Sequence, residues 1–283
     1  MGESWQVDGH KVIEVGSAEQ PVRRVKVGLV GGRVDVVAHD EPEGRLEIHD
    51  VHGRALDVTW DGGTLEVSHP KARWDTLLGD LVDRARGDAH SLDDTAELSL
   101  AVPRDVVLEI GTVSAEGLAV ALTGKVEVRT VSGTVTLDGI AGPVVARSVS
   151  GGIEARGQAG QMRMESVSGS FTVQSDGAPS LTAKTVSGSL SVDAISSPTT
   201  VAFSSVSGGL VVRQPDQKGY DADLRTVSGR VVVGGERISG EFGRVKHRRQ
   251  DPGATMTVKA STVSGDITLL TSAAPTADAR VPA

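Results

Sequence analysis

The chain has 283 residues, a formal net charge of −8 and no cysteine. That length allows one domain or two, the missing cysteine removes disulfides and thiolate metal sites, and acids spread along the whole chain argue against nucleic-acid binding. No stretch approaches the roughly 18 apolar residues of a transmembrane segment, and residues 1–20 lack the basic-then-apolar order of a secretory signal. A cytoplasmic location is therefore expected, with envelope association as the alternative.

Residues 1–21 carry Trp5 and little pattern, and read as an N-terminal cap. From Val22 to Leu270 apolar residues alternate at period two, the mark of strands with one buried face. Val25/Val27/Leu29 lead into Val30-Gly31-Gly32 and then Val34/Val36. Leu46/Ile48, Val51-His52-Gly53 and Leu56/Val58 follow the same frame with one extra residue after the corner, and Leu65/Val67 opens a third coil. Residues 70–95 break the pattern. Trp74, Leu77, Leu78, Leu81, Val82 and Ala85 fall at helical spacing, so a short amphipathic helix is expected here as an insertion. Its apolar stripe is expected to cover the solenoid; docking a partner is the sharper reading.

The organising motif then appears as Val113-Ser114-Ala115 and returns at Val131-Ser132-Gly133, Val149-Ser150-Gly151, Val167-Ser168-Gly169, Val186-Ser187-Gly188, Val206-Ser207-Gly208, Val227-Ser228-Gly229 and Val263-Ser264-Gly265. The steps between valines are 18, 18, 18, 19, 20, 21 and 36 residues. A period this short marks a solenoid. The expected fold is all-β: a parallel β-solenoid of about ten or eleven coils, with two short strands per 18–21-residue coil and one helical excursion. Each pair of strands meets at the Val-Ser-Gly corner, where glycine is expected to supply a positive φ. A second Gly-rich corner closes the coil, as at Gly139 and Gly142.

Residues 235–254 account for the 36-residue step and read as a loop insertion whose tip is the basic run Lys246-His247-Arg248-Arg249. Residues 256–270 supply the last coil, and the Ala- and Pro-containing residues 271–283 read as a disordered tail. No catalytic, cofactor or metal site emerges. The stacked serines lie outside Gly-x-Ser-x-Gly and have no histidine at a fixed offset, so the whole Val-Ser-Gly ladder reads as structural. His49-Asp50-Val51-His52 has no further ligands in sight. Glycan cleavage would need carboxylates clustered on one face, and no outward column concentrates them.

The run of Val-Ser-Gly coils, ending in Thr262-Val263-Ser264-Gly265-Asp266-Ile267-Thr268, resembles the bacterial putative-adhesin domain family, a β-solenoid family of unknown function. The resemblance covers roughly residues 22–270 and carries over no functional residues. The expected function is a non-enzymatic binding or scaffold module with a protein partner and no cofactor. Trp74, Leu77, Leu78, Leu81 and the basic run Lys246 to Arg249 are the candidate interaction residues. The alternative is a carbohydrate-binding or adhesive module at the cell envelope.

Overall fold

The computed structural model describes residues 2–70, 93–196, 199–214, 219–240 and 244–271. Of the insertion expected over residues 70–95, positions 71–92, with Trp74, Leu77, Leu78 and Leu81, lie outside the described residues, as do residues 272–283 of the expected tail; Thr95 and Thr271 are strand residues. Among the described residues there are only strands. In chain order they begin with β1 (Glu3–Val7), β2 (Lys11–Val15), β3 (Arg24–Leu29), β4 (Gly31–His39), β5 (Gly44–His52), β6 (Leu56–Asp61), β7 (Thr64–Ser68) and β8 (Thr95–Pro103). The regular coils follow as β9 (Val107–Thr112), β10 (Glu116–Val120), β11 (Val126–Thr130), β12 (Val135–Asp138), β13 (Val144–Ser148), β14 (Ile153–Gln158), β15 (Met162–Ser166), β16 (Phe171–Asp176), β17 (Ser180–Thr185) and β18 (Leu190–Ser196). The chain closes with β19 (Thr199–Ser205), β20 (Leu210–Gln214), β21 (Tyr220–Thr226), β22 (Val231–Val233), β23 (Glu236–Ile238), β24 (Val245–Arg249), β25 (Met256–Thr262) and β26 (Ile267–Thr271).

These strands build two 13-stranded sheets. The front sheet runs β1-β6-β7-β3-β9-β11-β13-β15-β17-β19-β25-β21-β24, and the back sheet runs β2-β5-β8-β4-β10-β12-β14-β16-β18-β20-β26-β22-β23. At about 4.8 Å per strand the stack is a rod roughly 58 Å long. Equivalent residues lie on one another from coil to coil. On the front sheet Val126 pairs with Val144, Val144 with Met162, Met162 with Leu181, Leu181 with Val201 and Val201 with Val258. All six are buried. The alternation in sequence thus becomes one continuous core between the sheets, mostly of aliphatic side chains with Phe171 and Phe203 among them. These small residues suit that thin layer, and each fully buried valine or leucine contributes about 1.5–3 kcal/mol.

The corner glycines work differently from the expectation. Gly133, Gly151, Gly169, Gly188, Gly208, Gly229 and Gly265 are absent from the positive-φ residues; within this frame only Gly32 and Gly53, in the N-terminal layers, are there. The requirement is steric. A Cβ on Gly208 would stand 1.7 Å from the Gly188 carbonyl oxygen, one on Gly188 2.0 Å from that of Gly169, and one on Gly265 1.8 Å from that of Gly208. Each glycine presses on the backbone of the coil beneath it, so any side chain would push the coils apart. Positive φ belongs to the opposite corner, at Gly139, Gly157 and Gly177, with Ala121 the one non-glycine residue in that conformation among the described residues.

The threading of the ends also differs from a simple solenoid. The coil expected at Leu46–Val58 buries its apolar residues, but β5 runs antiparallel to β8 and β6 antiparallel to β7. Alternation at period two is blind to strand direction, so the frame fits either way. The residues read as a cap form β1 and β2, which pair antiparallel with β6 and β5. At the far end β25 and β26 insert between the β19/β20 and β21/β22 layers, so the last coil in sequence is not the last in space. The segment read as a basic loop is strand too. β23 and β24 close the two sheets antiparallel to β22 and β21.

Candidate binding surface

At each regular corner the serine N–H donates to the carbonyl of the valine in the neighbouring coil, as from Ser150 to Val131 and from Ser168 to Val149, both at 2.8 Å. The hydroxyl donates to that same oxygen, at 3.0 Å for Ser150 and 3.2 Å for Ser168. The residue before the valine adds a second, buried staple that alternation alone did not distinguish from the core. Thr130 Oγ1 donates to the Gly133 carbonyl at 2.9 Å, and Ser148 Oγ to that of Gly151 at 2.7 Å. Thr185, Ser205, Thr226 and Thr262 instead accept the N–H of the corner glycine three residues on. The signal was there: a hydroxyl residue fills this apolar-facing position in every regular coil.

Serine and glycine are thus occupied by the corner, and the valine between the staple and the serine faces out. Val149, Val167, Val186, Val206, Val227 and Val263 are between 38% and 51% exposed. They stack at the coil spacing and make an apolar ridge along one edge of the rod.

Beside this ridge, the outward face of the front sheet divides in two. From β9 to β15 its charges neutralise one another. Glu127 receives Lys125 at 3.2 Å, Arg129 at 3.1 Å and Arg147 at 3.0 Å, and Glu165 receives Arg163 at 2.7 Å and Arg147 at 3.3 Å. Burial alone would raise the Glu127 carboxyl, but the hydrogen bonds from Arg129 and Lys125 outweigh it and hold the group below the usual range. From β17 onward the balance is lost. Lys184, Lys259, Lys246 and Arg248 are exposed and have no ion-pair partner among the described residues. The small outward residues Ala202 and Ser204 of β19 leave a trough of about 330 Å³ between Lys184 and Lys259.

The basic run itself is an edge strand. Lys246 pairs in register with Arg225 and Arg248 with Asp223, so both continue the outward face. His247 lies opposite the buried Leu224. Arg249 turns back to Asp251 at 2.8 Å and covers the Tyr220 ring at 4.6 Å. Cationic residues on a terminal strand also discourage edge-to-edge pairing.

At the N-terminal end His69 is fully buried. Its Nδ1 accepts the Val30 N–H at 3.2 Å, and its Nε2 has no hydrogen-bond partner. Burial lowers its pKa, against the nearby Asp94 carboxylate, which favours the charged form. Burial would raise the Asp94 carboxyl, but the Arg54 side chain and N–H hold it below the usual carboxylate range. His49 and His52 stay at the surface, near Ser99 and Asp50 respectively. Among the described residues no group of three or more histidine or acidic side chains is placed to hold a metal, and no helix is long and apolar enough to cross a membrane.

Two solved structures align along most of the chain at low similarity. One is a "putative cell adhesion protein" from Clostridium sporogenes, at 10% identity and TM-score 0.31, covering 93% of this chain and 100% of that one. The other is a "putative lipid binding protein" from Parabacteroides distasonis, at 13% identity and TM-score 0.40, covering 93% and 97%. None of the curated proteins matches the chain. The pattern of a domain of unknown function, Toastrack DUF4097, matches residues 31–271. That match spans most of the chain, which therefore belongs to the Toastrack DUF4097 family.

Proposed function

We propose that this protein is a non-enzymatic binding and scaffold module that seats a protein partner along its valine edge. The observation that carries this reading is the ridge from Val149 to Val263. The repeat keeps an apolar side chain there in every regular coil although the corner itself buries none of these six fully. Scattered exposed valines need no explanation, but a continuous apolar line rimmed by polar residues is the usual form of an interaction surface. The two sheets give it a rigid backing, so a partner meets a preformed surface.

The test is co-purification from the producing cell, comparing the wild-type protein with the double variant Val167→Thr/Val186→Thr. A stoichiometric protein partner that the variant fails to retain is the expected result. Retention of the same partner by both forms, recovery of none, or turnover or binding of a polysaccharide by the isolated rod would overturn the reading.

A further inference from the structure

The trough beside the ridge has its own chemistry. Two rows of outward residues cross the coils there. The first reads Lys184, Ser204, Ser261, Arg225, Lys246, and the second Thr182, Ala202, Lys259, Asp223, Arg248, each pair adjacent in register. Both carboxylates next to the trough are already engaged. Glu165, the register neighbour of Lys184, is held by Arg163 and Arg147. Asp223, the neighbour of Lys259, takes Arg225 through both oxygens, at 2.9 and 2.7 Å. Among the described residues none of Lys184, Lys259, Lys246 and Arg248 closes an ion pair, in a protein of net charge −8, although the charges of Arg248 and Lys246 help Arg225 hold the Asp223 carboxyl below the usual range. Asp221 sits one row further on and bounds the patch.

We infer that this trough receives an acidic, extended segment of the protein partner, laid along the rod axis with its carboxylates on Lys184, Lys259, Lys246 and Arg248. The inference rests on the binding-module reading above and names the chemistry of the partner. From β17 to β24 is four strand spacings, about 19 Å, which an extended chain covers in about six residues. Serine hydroxyls at 204 and 261 line the floor, and the small floor admits backbone close to the sheet. No aromatic side chain faces out in either row to stack on a sugar ring. Attraction of this kind sets specificity and on-rate, and weakens with salt.

The experiment uses the full chain and a fluorescent hexaglutamate peptide, with hexaglutamine as control, read by anisotropy at about 20 mM and about 300 mM salt, spanning the range over which screening becomes strong. The expected result is hexaglutamate binding that falls at least tenfold at the higher salt and is lost in Lys184→Glu/Lys259→Glu. The matched reversal Lys11→Glu/Lys26→Glu, at the other end of the rod, should retain it. Circular dichroism confirms folding of each variant. If the reversal does not fold, Lys184→Gln/Lys259→Gln should show the same loss. No binding at low salt, equal binding of hexaglutamine, or binding unchanged in the trough variants would overturn the inference. So would capture of phosphatidylserine vesicles without peptide binding. If the trough variants still retain a cellular partner that the valine variants lose, only the acidic-segment inference has failed. If no variant or wild-type protein retains a partner, the binding-module reading has failed.

Discussion

From β9 to β20 every strand lies on its equivalent in the neighbouring coil, in parallel, and the chain never reverses within a sheet. At both ends it doubles back through a glycine pair: Gly62-Gly63 joins β6 to β7, and Gly234-Gly235 joins β22 to β23. All four of these glycines have positive φ, between 56° and 87°, as the two-residue hairpin turns require. The middle and the ends therefore use the same residue for different reasons. In the middle, glycine lets backbones touch. At the ends, it lets the chain turn left-handed. Antiparallel strands also end the parallel stack, with β1 and β24 at the edges of the front sheet and β2 and β23 at those of the back sheet.

The largest expected effect comes from breaking the middle. In Gly208→Ala the new Cβ would stand 1.7 Å from the Gly188 carbonyl oxygen of the next coil, and that clash is with backbone, which no side-chain rotation relieves. The two coils must separate, with their ladder hydrogen bonds. A loss of more than about 3 kcal/mol is expected. Denaturant melts check it, and a near-normal midpoint would mean that the corners are not in backbone contact. Next comes Thr130→Val, which keeps the shape and removes the staple. It leaves the Gly133 carbonyl without this donor and Thr112 Oγ1 without the acceptor it meets at 3.1 Å. The expected cost is about 2 kcal/mol, again read from melts.

Much of this architecture was legible in the sequence. Alternation placed Val126, Met162, Val201 and Leu269 in the core, and the short repeat period argued for a solenoid. Three features were not legible from that frame. Strand direction at Leu46–Val58 was lost because a period of two has no polarity. The order of the last layers was lost because every coil offers the same inward surface, so β25 fits equally well in more than one slot. The glycine pairs were ambiguous because Gly151-Gly152 and Gly208-Gly209 sit at coil corners while Gly62-Gly63 and Gly234-Gly235 make hairpins. What the sequence could not show was which carboxylates the arginines engage, and so which cations remain uncommitted. The exposed valines were hidden by their motif, since a residue repeated in every coil invites a purely structural reading.

The end glycines sharpen the contrast. A Cβ on Gly235 meets nothing within 4 Å, so Gly235→Ala is strained only through its φ of +87°. The expected loss is about 1 kcal/mol, well below that of Gly208→Ala. Equal losses in the two variants would erase the distinction between contact glycines and turn glycines.

The smallest effect is conditional and belongs to the N-terminal end. His69 is buried beside the Arg54–Asp94 pair, and burial lowers its pKa from the ordinary 6.5. The unfolded chain takes up a proton as pH falls through 6.5, while the folded chain resists it, so the unfolded state binds more protons in that window. Stability is then fully present above the ordinary value and declines as pH falls below it, toward the depressed folded pKa. His69→Gln keeps an acceptor for the Val30 N–H and removes the titration. Urea melts at pH 7.5 and 5.5 are expected to show a drop for the wild-type protein that is smaller in the variant. The surface histidines His49 and His52 are common to both proteins and cancel in the comparison. An identical drop in the two would show that the buried imidazole does not couple protonation to folding, and that this end of the rod is as insensitive to pH as the apolar core of the middle coils.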